Sequence, residues 1–262
     1  LTLGYTLFYL CLIVLIPLAA LIVRPWELGP AGVWEAVTSP RALAALRLSF
    51  VAGGLAALIN AVMGLLLAWV LVRYDFPGKR IIDALVDLPF ALPTAVAGIA
   101  LTAIYAPNGP VGSVLTDWGV RVAYTPLGVL IALIFVGLPF VVRWVQPVLE
   151  DLDHEIEEAA ETLGATPFQR ARLVVLPAVL PALISGAGLA FARAVGEYGS
   201  VIFIAGNMPL RSEIAPLLVV IQLEQFNYAG AAAIGLAMLA LSFLILLVLN
   251  GLQAVLARRG RA

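Results

Sequence analysis

Apolar residues fall into six long stretches, at about 5–23, 48–72, 81–105, 127–149, 173–205 and 230–256, with polar residues gathered between them. Each is roughly 20 residues or longer, the length a helix needs to cross the hydrocarbon of a bilayer. The pattern predicts an all-α membrane protein of six transmembrane helices, with 1–262 as one transmembrane domain. The first stretch has no basic flank before it and no small-residue cleavage site after it, so it reads as a span and not a signal peptide. The intervening segments at about 24–47, 106–126 and 206–229 are expected to be loops too short to fold alone. The few residues after the last stretch predict no C-terminal regulatory domain.

Composition narrows the class. The chain is 63% hydrophobic and 12% charged, with mean hydropathy +1.06; a soluble protein carries about 25% charged residues. A net charge of −1 gives no reason to expect nucleic acid. The single cysteine, Cys11, excludes an internal disulfide, and the single histidine, His154, cannot form a histidine metal site alone. His154 is expected to be solvated. No glycine-rich phosphate loop is present, so neither ATP hydrolysis nor a bound cofactor is expected of this chain.

Loop charges predict an orientation. Arg73, Lys79, Arg80, Arg143, Arg170, Arg172, Arg258, Arg259 and Arg261 fall on one side, nine in all, against five on the other, Arg24, Arg41, Arg47, Arg121 and Arg211. Both termini and the segment at about 150–177 are thereby placed in the cytoplasm. Trp26, Trp34, Trp69, Tyr74, Trp118, Tyr124 and Trp144 fall near span ends and read as interface anchors.

The most informative segment is EAAETLGATPFQRARLVVLP, Glu158 to Pro177. Asp153 can cap a first helix, and Glu155, Glu157 and Glu158 place negative charge in its early turns, where the dipole favours it. Ile156, Ala160 and Leu163 share a face. Gly164 suits a left-handed residue ending that helix. Thr166, Pro167 and Gln169 then read as N-cap, N1 and N3 of a second helix, a capping box with proline at its preferred site. The small residues Ala159, Ala160, Gly164 and Ala165 would let another surface approach closely.

The spacing is Glu158-Ala159-Ala160, three residues, Gly164, nine residues, Val174, one residue, Leu176-Pro177. It resembles the EAA loop of permease subunits in ATP-binding-cassette importers, with Val174 where that family usually has Ile. LPFALPTAVAG (Leu88–Gly98) and AVGEYGSVIFIAGN (Ala194–Asn207) resemble the oxyanion branch of these permeases. The run GEYGSVIFIAGNMP, the NYAGAAAIG stretch and the opening YTLFYLCLIVLIPLAAL are most similar to the T-type permease of the sulfate/thiosulfate importer, with molybdate and tungstate importers as the alternative.

That resemblance implies a type I importer fold with both termini inside, in a bacterial inner membrane. It implies a second, W-type permease, two ATP-binding subunits that hold ATP and magnesium, and an extracytoplasmic sulfate-binding protein. Glu158, Ala159, Ala160, Gly164, Ala165, Leu176 and Pro177 take the coupling role. A stand-alone secondary transporter leaves the EAA spacing unexplained. A membrane enzyme lacks its residues, since one histidine and one lysine, Lys79, supply neither a metal cluster nor a Ser–Lys pair at depth.

Charged residues within spans are costly and need a role. Arg193 and Glu197 are spaced one helical turn apart in the fifth stretch, among glycines. They are expected to neutralise each other and lock the bundle, to line an anion path with neighbouring Tyr198, or to contact the partner permease. Asp83 and Asp87 in the third stretch are expected to pair with Arg73, Lys79 and Arg80. Pro89 and Pro93 each remove a backbone donor; the resulting break serves packing or faces a cavity where transporters build sites. Asn60 is expected to form an interhelical hydrogen bond.

Overall fold

The computed structural model describes residues 2–259, and every regular element in that range is helical. The side chains of His154, Arg258 and Arg259, and all of Arg261, lie outside the described residues, as do the expectations placed on them. The first helical run comprises α1 (Thr2–Leu10), a π-helical turn (Cys11–Leu15), α2 (Ile16–Val23), a 3₁₀ turn (Arg24–Leu28) and α3 (Gly29–Thr38). α4 (Pro40–Arg73) follows, then α5 (Lys79–Val86), α6 (Leu88–Ala91), α7 (Thr94–Tyr105) and α8 (Gly112–Asp117). Next come α9 (Pro126–Glu150), α10 (His154–Thr162), α11 (Pro167–Arg170), a second π turn (Ala171–Val175) and α12 (Leu176–Val195). The chain ends with α13 (Val201–Ile204), α14 (Ala215–Glu224) and α15 (Tyr228–Arg259).

Among the described residues, five helical runs are long and apolar enough to cross a membrane: Gly4–Thr38, Pro40–Arg73, Pro126–Glu150, Pro167–Val195 and Tyr228–Gly251. The expected third span is not one helix. It breaks at Asp87 and again at Leu92–Pro93, leaving α7 with 12 residues. Leu92 is extended (φ −86°, ψ 136°), as the residue before a proline tends to be. The expected fifth span also ends early, at Val195, with Gly196 as its C-cap. The presumed loop at 24–47 is instead largely helical, continuing through α3 into α4, and α14 lies within the presumed loop at 206–229.

Two of the irregular turns share a cause. Each π turn immediately precedes a helix with proline at its second position, Pro17 after Cys11–Leu15 and Pro177 after Ala171–Val175. A proline lacks the N–H for a regular bond and its ring crowds the carbonyl four residues back. Widening the preceding turn relieves that contact, and Leu176 N–H bonds Ala171 O instead.

α4, α9 and α12 pack on one another as the centre of the fold. α4 presents a stripe of small buried residues, among them Ala42, Ala45, Ala52, Gly53, Ala56, Ala57, Gly64 and Ala68. Small residues allow backbones to approach closely, which drives helix association in lipid. At Gly64 a Cβ would come within 2.8 Å of Val141, so the α4–α9 contact uses the missing side chain. Asn60 is fully buried in this stripe and donates from Nδ2 to Ile134 O at 3.1 Å, the expected interhelical bond. The core has two ends. One gathers Val129, Leu133, Val201, Ile204 and Ile214; the other gathers Leu71, Val86, Val141, Val145, Leu149, Val175 and Val179. No residue of α2 is buried, so that helix turns its apolar side chains outward.

The break between α5 and α6 is closed by an arginine from α9. Asp87 N–H bonds Ala84 O, so Asp83 O loses the partner it would have in a regular helix. Arg143 Nη2 donates to that carbonyl at 2.8 Å. The same guanidinium grips Asp87 through two bonds of 2.8 and 2.6 Å and reaches Asp83 Oδ1 at 2.7 Å, while Gln146 bridges to Asp83. The expectation that Asp83 and Asp87 pair with Arg73, Lys79 and Arg80 is therefore corrected. Lys79 is bonded to Asp75, and Arg73 to Glu157.

Arg143→Gln is expected to destabilise the protein by about 1–2 kcal/mol, toward the low end for charged hydrogen bonds because all three side chains are partly exposed. Adding Asp83→Asn and Asp87→Asn to it recovers part of the loss by removing the facing carboxylates. Thermal unfolding in detergent measures both; equal stability of parent and Arg143→Gln would show that the clamp contributes nothing.

Candidate functional site

Two regions carry the residues singled out in the sequence, at opposite ends of α9, which is 25 residues and so about 37 Å long. The first is the hairpin of α10 and α11. Asp153 Oδ1 accepts from Glu155 N at 3.0 Å, and Glu155 and Glu157 lie in the first turn. Gly164 has φ 84°, and the helix end is a Schellman turn: Gly164 N bonds Glu161 O at 2.8 Å and Ala165 N bonds Ala160 O at 3.0 Å. Thr166 and Gln169 form a reciprocal capping box, with Thr166 N bonded to Gln169 Oε1 at 2.8 Å. The geometry is thus a helix, a left-handed glycine turn and a second helix.

The hairpin's outer face is open. Glu158, Ala159 and Gly164 are exposed, Ala160 and Ala165 half-buried, and Leu163 is 89% and Phe168 72% exposed. No atom lies within 4 Å of a Cβ built on Gly164, so its requirement for glycine within this chain is conformational. Leu176 and Pro177 open α12, behind the π turn that joins the hairpin to the bundle.

One contact that the sequence does not signal sets the hairpin's angle. Arg73, at the end of α4, pairs with Glu157, both side chains being largely buried, and Arg73 also stacks over Trp69 at 5.7 Å. Within the hairpin Arg170 pairs with Glu161 at 2.6 Å. The partners are 84 and 9 residues apart, beyond any local spacing rule.

The second region is where the broken segments meet. Arg193 lies in the last turn of α12, but Glu197 lies beyond the helix end, in the turn that leads to α13. The two pair through Arg193 Nη1 and Glu197 Oε2. Glu197 Oε1 also accepts from Ser200 N and Ser200 Oγ, both at 2.9 Å, so the carboxylate replaces backbone partners lost at the break. The carboxylate side chain is 1% exposed and the guanidinium side chain 37%, so the pair has one sealed end and one open end.

This turn packs on the break ahead of α7, whose N-cap residue is Pro93. A Cβ on Gly98 would lie 2.3 Å from Ser200 O, and one on Gly199 2.1 Å from Thr94 Oγ1. Gly98 thus permits a close backbone approach and Gly199 makes room for the Thr94 side chain, and a Cβ at either would clash. Tyr198 packs against the apolar core at this end. Pro89 lies in α6, which packs on α9 through an edge-to-face contact between Phe90 and Phe140. Pro93, Arg193, Glu197 and Tyr198 therefore belong to one neighbourhood, while Pro89 belongs with the Arg143 clamp.

Comparison with known proteins agrees with this architecture. Residues 60–262 match the family described as binding-protein-dependent transport system inner membrane component, and the chain belongs to that family. It is 48% identical over 259 residues to the sulfate transport system permease protein CysT of Salmonella typhimurium, covering 99% of this chain and 94% of that one. The fold is similar to that of a bacterial transporter that imports the acidic polysaccharide alginate, with TM-score 0.79 and 16% identity over 97% of this chain and 93% of the other. It is equally similar to a bacterial alginate transporter solved with its pentasaccharide-bound periplasmic protein, with TM-score 0.78 and 18% identity over 95% and 91%. The chain is thus a multi-pass membrane permease of an ATP-binding-cassette importer.

Arg193→Gln is expected to leave Glu197 as a buried, unpaired carboxylate and to lower the yield of folded protein sharply. Arg193→Gln with Glu197→Gln is expected to recover most of that yield, because a neutral amide oxygen can still accept from Ser200. Size-exclusion profiles of the detergent-extracted variants test this; a double variant no better than Arg193→Gln overturns the pairing.

Proposed function

We propose that this chain is the T-type permease of a sulfate/thiosulfate importer of the bacterial inner membrane. The observation that carries the substrate is the 48% identity, over nearly its whole length, to a permease named for sulfate transport. In this reading α5, α6 and α7 together make one crossing, which completes six spans with both termini in the cytoplasm. The working complex adds a related W-type permease, two ATP-binding subunits and an extracytoplasmic sulfate-binding protein. ATP and magnesium are held by the ATP-binding subunits, and this chain holds no cofactor.

Coupling runs through the hairpin. Glu158, Ala159, Ala160 and Gly164 offer a surface of small and acidic residues, flanked by the exposed Leu163, that fits a groove on an ATP-binding subunit. Closure of the ATP-binding subunits moves the hairpin, and the short path through Leu176 and Pro177 passes the motion to α12. The far end of α12 carries Arg193, whose partly open guanidinium faces the translocation path beside Tyr198 and the Pro93 break. Any anion site there is weak, because tight binding to one state would stall the cycle. The loaded binding protein does most of the selecting.

Gly164→Asp is expected to abolish uptake of labelled sulfate by the reconstituted complex while the chain still inserts in the membrane. An L-residue at this left-handed position costs about 1–2 kcal/mol locally, and the added carboxylate meets the docking surface. Wild-type uptake by this variant at wild-type membrane levels would end the coupling role. Orientation has its own test. In a Cys11→Ser background, Ser113→Cys is expected to react with an impermeant thiol reagent from outside the cell and Thr162→Cys only from the cytoplasmic side; the reverse pattern inverts the topology.

A further inference from the structure

At the end of α9 opposite the hairpin, a hollow of about 330 Å³ is lined by Arg121, Tyr124, Thr125, Met208, Arg211 and Ser212, among others. No acidic residue lines it. Arg121 and Arg211 are exposed, and neither guanidinium has an ion-pair or hydrogen-bond partner among the described residues. The acid beside Ser212 in sequence, Glu213, is already neutralised: Arg41 holds both its oxygens, at 2.8 and 2.7 Å. Two arginines without a counter-charge among the described residues therefore line one small cavity.

Two further features favour an anion there. Ser212 is 1% exposed, and its Oγ accepts from Met208 N at 3.0 Å, while its own proton has no acceptor among the described residues. Thr125 and Pro126 are the N-cap and first residue of α9, so the positive end of a 25-residue helix dipole points into the hollow. That end acts through its field and not through a free amide, because Leu127 N is bonded to Thr125 Oγ1 at 3.2 Å.

A second hollow, of about 440 Å³, shares Tyr124 with the first and is lined by Thr102 of α7 and by Phe203 of α13. These are the two segments whose breaks meet at Pro93 and Glu197. Tyr124 is the common wall, held with φ 64° by a bond from its N–H to Ile204 O at 2.6 Å. The two hollows thus meet at Tyr124, and the second lies against the same two segments, α7 and α13, that follow the breaks.

We propose that Arg121, Arg211 and Ser212 form an entry site for a small tetrahedral oxyanion, which takes the anion released by the binding protein and passes it by Tyr124 toward the Arg193 region. The inference rests on this chain serving an oxyanion importer. Guanidinium forks match the geometry of such an anion. The cavity is much larger than one such anion, so the anion keeps part of its water and binding stays weak enough for onward transfer.

The test uses the assembled importer in lipid nanodiscs without binding protein, carrying Cys11→Ser and a single cysteine at Met208→Cys. Sodium sulfate is expected to slow labelling of that cysteine by a neutral thiol reagent, against sodium chloride of equal ionic strength, about threefold when sulfate is at twice its dissociation constant. Arg121→Gln with Arg211→Gln removes the protection, and lysine at both positions keeps part of it. Labelling unaffected by sulfate in the parent complex refutes the site. Loss of binding-protein affinity in the glutamine pair, with no sulfate protection in the parent, also refutes it and assigns the arginines to carboxylates of the binding protein. Uptake by the parent complex is measured separately. A complex that imports another oxyanion in place of sulfate fails the functional reading, and protection by that oxyanion then decides the site.

Discussion

Backbone amides and carbonyls have no water to bond inside a bilayer, so a helix can break at membrane depth only where something else takes its freed groups. Two charged side chains do this here. Arg143 donates to the freed carbonyl of Asp83, and Glu197 accepts from the amide and hydroxyl of Ser200. A bare charge at depth would be costly, so each is itself neutralised, Arg143 by Asp83 and Asp87, Glu197 by Arg193. The ion pairs and the breaks thus depend on one another. Remove the break and the charge has no backbone partner; remove the charge and the backbone group is left unpaired.

That dependence explains which parts of the fold were legible in the chain. The hairpin was read nearly residue by residue, because its determinants lie within a few positions of one another. Asp153 bonds two residues on, Thr166 and Gln169 bond across three, and Gly164 closes a turn whose bonds reach back three and five residues. Five spans were legible from apolar length alone. The breaks within the third stretch and after Val195 were not, since hydropathy stays high across a break that a few polar side chains repair.

The errors in reading charge have the same origin. Asp83 and Asp87 were assigned to nearby basic residues, whereas their partner Arg143 lies 60 and 56 residues away. Arg193 and Glu197 at a four-residue spacing implied a helical turn, but Gly196 ends the helix between them. The pairing survived because the turn after a glycine C-cap brings the side chain back toward the last helical turn. Spacing gave the correct partner for the wrong geometric reason, and the sealed position of Glu197 came from Ser200, which no periodicity marks.

The two ends of the molecule differ in how their charges are used. At the hairpin end the basic residues Arg73 and Arg170 are held by Glu157 and Glu161, and the exposed face carries Glu158, Ala159, Leu163 and Gly164. At the opposite end Arg41 is held by Glu213, but Arg121 and Arg211 face a cavity without carboxylates. Positive charge that is compensated orients secondary structure, and positive charge left uncompensated in a concave site attracts anions. α9 joins the two ends, and along its length it carries the cap beside the open arginines, the carbonyl that receives Asn60, and Arg143. In the proposed coupling, a movement passed from the hairpin to α12 meets α9, whose contacts with α4 are close and made by small residues, an arrangement that favours displacement of whole helices over local bending.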